Sequence, residues 1–209
     1  MNKETYLADP CGASALPLWK TEQTRIPEGM TVIRDDRFDA VQCKGTDEPY
    51  FRLIHRLEQI RQPELPAGFS PVSCSTEQFA RHIRACYTEE GATAEELEQY
   101  RQRPVYDPEL WIAAADPEGR IAASGIAELD RRTGEGSLEW IQVSPEYRHR
   151  GLGRYIVCEL LRRLKDKAEF VTVSGRVNNE GNPQALYLAC GFGNPVIWHV
   201  IRNGEPQNE

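Results

Sequence analysis

Val143-Ser144-Pro145-Glu146-Tyr147-Arg148-His149-Arg150-Gly151-Leu152-Gly153-Arg154 decides how the rest of the chain is read. An apolar run, Leu138 to Val143, enters it as a strand. Ser144-Pro145 turns the chain, and an amphipathic helix leaves it. Free N–H groups at a helix start point outward, and the helix dipole favours negative charge there. Gly151 and Gly153, on either side of Leu152, let a bulky group approach the backbone. Arg148, His149, Arg150 and Arg154 add donors and positive charge. A phosphate or pyrophosphate is the natural guest. The dinucleotide fingerprint G-x-G-x-x-G fails, because Ile156 stands where its third glycine belongs. The triphosphate loop G-x-x-x-x-G-K-[ST] is absent.

Downstream, Ile156, Val157, Leu160, Leu161 and Leu164 share one helical face, opposite Arg154, Glu159, Arg162 and Arg163, as on a helix lying on a sheet. Phe170 to Val173 reads as the next strand, and a strand-helix-strand crossover implies a parallel pair. Asn182-Pro183 opens a short helix that ends near Cys190-Gly191, and Val196 to Ile201 is the closing strand. Upstream, Phe69 to Ser73 reads as a strand. Ser75 caps a helix reaching Tyr87, and Thr93 caps another reaching Arg103. Leu110 to Ala115 and Arg120 to Leu129 form a hairpin around Asp116-Pro117-Glu118-Gly119. Earlier still, Met30 to Arg34 is a short strand. Phe51, Ile54 and Leu57, three apart after Pro49, predict a helix over 50–61, with His55 as a packing residue beside its stripe. Pro63, Pro66 and Gly68 mark a linker. The chain is thus expected to divide into an N-terminal extension or partial domain (1–67), a main domain (68–203) and a flexible tail (204–209). The extension is too short to bury a good core alone, so it packs on the main domain or on a second subunit, which makes a homodimer one of the partners to consider.

The 209 residues are 40% hydrophobic, enough for a buried core, and carry a net charge of −7. Mean hydropathy is −0.58. No apolar run reaches the roughly 18 residues of a membrane span, and Met1 to Pro10 lacks the basic-then-apolar pattern of a secretion signal. The acidic balance argues against nucleic acid, which needs a basic surface, and favours a cationic substrate. Six cysteines show neither a C-x-x-C pair nor metal-ligand spacing. They read as reduced thiols of a cytoplasmic protein with no metal.

Arg148-x-x-Gly151-x-Gly153, set between strand and helix, resembles the R/Q-x-x-G-x-G/A signature of the GNAT superfamily of N-acetyltransferases. The order of elements from about Phe69 to Arg202 is similar too. The resemblance implies an α/β fold: a mixed central β-sheet flanked by helices, with a V-shaped cleft for acetyl-coenzyme A. Its pyrophosphate would rest on Arg148, His149, Arg150, Gly151, Leu152, Gly153 and Arg154, and its pantetheine arm along the backbone of Ile141 and Val143. Tyr187, four residues before Gly191-Phe192, matches the tyrosine that protonates the departing thiolate in many members. A phenol of pKa about 10 can supply a thiolate whose acid has a pKa of about 8.5. Members carry an asparagine seven residues before that tyrosine. Here Glu180 stands there and Asn182, two residues on, is the candidate for the contact. The amine must also lose a proton. Glu139 is the candidate base, pointing with Ile141 and Val143 by period-two alternation and away from Trp140, and Glu128 and Asp130 are alternatives. The implied reaction moves an acetyl group to a primary amine, on a small molecule or a protein, by direct attack in a ternary complex. The rival readings are a non-catalytic acyl-coenzyme A sensor or scaffold and a dinucleotide-binding oxidoreductase. His199 and the strand tryptophans Trp111 and Trp198 read as structural.

Overall fold

A computed structural model describes residues 1–87, 91–179 and 181–203. The tail expected at 204–209 lies outside the described residues. In chain order come α1 (Lys3–Ala8), α2 (Pro10–Ala13), α3 (Leu18–Gln23), β1 (Met30–Arg34) and β2 (Thr46–His55). Next are β3 (Ser70–Val72), α4 (Thr76–Cys86), α5 (Ala94–Arg101), β4 (Trp111–Ala115), β5 (Ile121–Asp130) and β6 (Glu135–Val143). The chain closes with α6 (Leu152–Leu164), β7 (Phe170–Arg176), α7 (Pro183–Ala189) and β8 (Gly193–Arg202). The fold is α/β, of the class the sequence implies. None of the described helices is long and apolar enough to cross a membrane.

The predicted helix over 50–61 is instead β2 and the irregular segment after it. Phe51, Arg52, Leu53, Ile54 and His55 are all buried. A strand covered on both faces loses its period-two signal, and a chance spacing of three then passes for a helix.

The chain forms two compact units, one discontinuous: Met1–His55 with the residues from Thr172 onward, and the other Arg56–Val171. Residues 172–203, expected with the domain beginning at 68, therefore cluster with the N-terminal 55. In this first unit β8 lies between β1 and β2, antiparallel to both. The short N-terminal helices bury Tyr6, Cys11, Leu18 and Trp19, and the Trp198 indole donates to the Cys11 carbonyl at 2.8 Å. The Arg52 guanidinium, 2% exposed, donates to the hydroxyls of Tyr6 (2.9 Å), Thr172 (3.2 Å) and Ser174 (3.3 Å) and to the Ala15 carbonyl (3.3 Å).

His199 on β8 has the structural role its alternation suggests. Its ring stacks on Phe38 at 3.7 Å and bridges Asp47 at 2.8 Å and Asp35 at 3.0 Å. Burial lowers its pKa, but the two carboxylates outweigh burial and hold it above the ordinary value. The imidazolium is therefore the stabilised form. Its contribution is complete below the unfolded histidine pKa of about 6.5 and fades as pH rises through the folded value. His199→Gln should accordingly lower the urea midpoint more at pH 5.5 than at pH 8.5. An equal loss at both would show that the ring contributes by packing alone.

The second unit has the antiparallel order β6-β5-β4-β3. Capping boxes start α4 and α5, whose Phe79, Ile83 and Leu97 pack with Ala113 and Ile126 on one sheet face. Helix α6 takes the other face. A Cβ on Gly125 of β5 would lie 2.4 Å from Ile156 Cγ2, so only glycine lets α6 sit this close.

Candidate active site

Helix α6 begins without help from any side chain. Its N-cap is Gly151, at φ +88°, and the first intrahelical bond runs from the Tyr155 amide to the Gly151 carbonyl at 3.0 Å. The amides of Leu152, Gly153 and Arg154 precede that bond and have no place in the helical ladder. A Cβ on Gly151 would meet only Pro66, at 3.5 Å. Space is therefore available, and the left-handed backbone is what selects glycine. His149 is also left-handed, at φ +62°. Arg148, His149, Arg150 and Arg154 are exposed around the bend. Uncapped amides, a helix dipole and four basic side chains at one turn make an anion cradle.

A tyrosine clamps the cradle from beneath. The Tyr147 hydroxyl donates to Asp116 at 2.5 Å, and Arg120 donates to the same carboxylate from Nε at 2.7 Å and from its amide at 2.8 Å. The Tyr147 bond, with the Arg120 contacts added, holds the Asp116 carboxyl well below the usual range. The Tyr147 ring stands edge-on to Phe69 at 5.6 Å. This ties the cradle to the β4–β5 turn, a link that sequence alone leaves unseen.

Strand β6 corrects the alternation argument. Leu138 stands opposite Ala127, and Ile141 opposite Gly125. Two steps of β5 match three of β6, so a bulge falls at Glu139-Trp140. Leu138 and Ile141 then share the α6 face, and Glu139 falls with Trp140 on the α4 face rather than with Ile141 and Val143. Trp140 packs against the Phe79 cluster, and the Tyr87 ring stands edge-on to it at 5.5 Å. The Tyr87 hydroxyl donates to the Ile141 carbonyl at 3.1 Å. Glu139 is half-buried. Of its alternatives, Glu128 is buried and accepts from Arg103 at 2.7 Å. Asp130, also buried, accepts the Arg132 amide at 2.9 Å and its guanidinium at 3.3 Å. Both are structural anchors by geometry.

Tyr187 and Asn182 belong to the first unit. Asn182, at φ +43°, caps α7, its Oδ1 accepting the Ala185 amide at 3.3 Å. Tyr187 is buried, its ring 6.1 Å from Phe51 and 5.7 Å from Phe192. Glu180 lies outside the described residues. Arg148 to Arg154 thus lie with Ile141 and Val143 in one unit, and Tyr187 with Asn182 in the other.

Comparison with known proteins places this geometry. The model of the acetyltransferase (GNAT) family matches residues 76–192. A mycothiol acetyltransferase from Thermobifida fusca is 33% identical over 118 residues, 52% of this chain and 36% of that protein. The chain therefore spans little more than a third of that relative. Among solved structures, a GCN5-related N-acetyltransferase from Sphaerobacter thermophilus aligns with a TM-score of 0.66 at 18% identity, covering 86% of this chain and 61% of that one. A GNAT-family acetyltransferase from Colwellia psychrerythraea aligns with a TM-score of 0.58 at 14% identity, covering 95% and 72%.

Proposed function

The chain belongs to the acetyltransferase (GNAT) family, and we propose that it moves the acetyl group of acetyl-coenzyme A to a primary amine by direct attack in a ternary complex. The observation that carries this reading is the uncapped, left-handed entry to α6, which offers backbone amides to a pyrophosphate. In the proposed reaction the amine nitrogen attacks the thioester carbonyl, the C–N bond forms and the C–S bond breaks. Tyr187 gives its phenolic proton to the departing thiolate. Glu139, directly or through water, takes the proton the amine loses. Ile141 and Val143 line the pantetheine arm, and Asn182 adds a contact near the start of α7. Much of the rate comes from holding amine and thioester together. The net charge of −7 draws cationic amines. The reading also places the protein in the cytoplasm, where acetyl-coenzyme A and reduced thiols coexist.

Thiol release from acetyl-coenzyme A tests this against a panel of polyamines, amino acids, aminoglycosides and peptide N-termini. Turnover with at least one amine is expected. Tyr187→Phe and Glu139→Gln should each lower kcat about a hundredfold, the scale of general acid–base catalysis, and leave the Kd of coenzyme A unchanged. Binding without turnover on any amine would instead make the protein an acyl-coenzyme A sensor.

A further inference from the structure

Beneath the anion cradle lies a buried polar chain inside the second unit. His82 on α4 is 6% exposed, in a helix face otherwise given to Phe79 and Ile83. Its Nδ1 is 2.8 Å from Ser124 Oγ on β5, and its Nε2 is 2.9 Å from Ser144 Oγ. Ser144 is the residue from which the cradle departs, and its own hydroxyl donates to the Ile121 carbonyl at 3.1 Å. The Gln142 amide nitrogen donates to Ser124 Oγ.

The direction of each bond follows from counting protons. A serine hydroxyl has one proton, and that of Ser144 goes to Ile121, so Ser144 Oγ must accept from His82 Nε2–H. Burial pushes the His82 pKa down to about 4, against a smaller upward pull from Glu146, so the ring is neutral near pH 7. Nδ1 is then bare and accepts the Ser124 proton, while Ser124 Oγ accepts from Gln142. Cys86 Sγ lies 3.6 Å from Nε2, and burial pushes its thiol up to about 11, so it keeps its proton near pH 7.

We propose that His82 is a positioning residue for the anion cradle, one directed hydrogen-bond chain through its ring pinning Ser144 at the foot of the loop. Ser144 is tied twice more to the sheet and loop: its amide donates to Ala122 at 2.9 Å, and its carbonyl receives Tyr147 at 2.9 Å. His82 thus sets the angle at which the chain leaves β6 for Tyr147 and Arg148. It touches no reacting atom. The proposal rests on the acetyl-transfer reading for its ligand, and on the hydrogen-bond geometry for its wiring.

The test is titration calorimetry with coenzyme A on His82→Leu, His82→Gln, Ser144→Ala and the His82→Leu/Ser144→Ala pair, with ring nitrogen shifts of His82 by NMR. His82→Leu should bind coenzyme A about tenfold more weakly, with kcat at saturation within about twofold. His82→Gln, which keeps a donor facing Ser144, should restore most of the affinity. In the Ser144→Ala background His82→Leu should add nothing, since the two act through one bond. The NMR shifts should show the neutral Nε2–H tautomer. Unweakened binding in His82→Leu, an Nδ1–H tautomer, or additive losses would each overturn the proposal. Should His82→Leu fail to fold, Ser144→Ala and the tautomer decide it: weakened binding with Nε2–H supports it, and Nδ1–H overturns it. Coenzyme A failing to bind the unaltered protein would overturn the acetyl-transfer reading and this one with it. Normal binding with an insensitive His82→Leu overturns this one alone.

Discussion

Gly151→Asp/Gly153→Asp is expected to weaken acetyl-coenzyme A binding about a hundredfold while α6 remains folded. Position 151 is left-handed, at φ +88°, a region aspartate tolerates better than most residues, so the strain is about 1 kcal/mol. An aspartate there also suits a helix N-terminus, which offsets part of that strain. The ligand meets the opposite balance. Two carboxylates stand where a pyrophosphate needs bare amides, and each like-charge pair at about 5 Å costs about 1–3 kcal/mol at effective dielectric constants of about 20–80. Together the two come to about 2–6 kcal/mol, a range that spans the roughly 2.7 kcal/mol of a hundredfold change. Calorimetric titration reads the loss, and a urea melt reads the retained fold. An unchanged Kd would remove this turn as the anion site.

Arg52→Ala should cost about 3–5 kcal/mol of stability, because several buried oxygens lose a donor at about 1–3 kcal/mol each and a large side chain leaves a space behind. The charge itself goes, but three hydroxyls and the Ala15 carbonyl lose a buried donor. A space the size of the side chain also opens between the N-terminal helices and the sheet. That is a large part of the roughly 5–15 kcal/mol that holds a domain folded, so the variant should melt well below the unaltered protein. Tyr6→Phe, which deletes one of those contacts, should cost about 1–2 kcal/mol and fold normally. Urea denaturation measures both. A loss within about 0.5 kcal/mol for Arg52→Ala, as at a surface position, would show that the cluster holds nothing together.

The sequence was most legible where its signals are local. Loop, glycines and apolar helix face run consecutively from Val143 to Leu164, and the capping residues Ser75 and Thr93 stand next to the helices they start. Legibility failed where the deciding partner is distant or the period slips. Phe51 to His55 is covered on both faces, so β2 shows no alternation. The extra residue at Glu139-Trp140 is invisible without β5 beside it, and it reverses the face of the candidate base. Arg52 finds two of its partners more than a hundred residues away, at Thr172 and Ser174. His82 did leave a trace: it sits between Phe79 and Cys86 on an apolar helical face, where a polar ring needs hydrogen bonds. Nothing nearby in the chain names Ser124 or Ser144 as the groups that supply them.

The placement of β8 between β1 and β2 has a consequence during synthesis. Strands β1 and β2 leave the ribosome first, yet neither pairs with the other. Their shared partner starts at Gly193, so at roughly 5–20 residues per second the edges it will occupy stay open for about 7–30 seconds. Open strand edges recruit other chains. The nascent protein therefore passes through a stage in which its second unit has every strand of its own and its first cannot close.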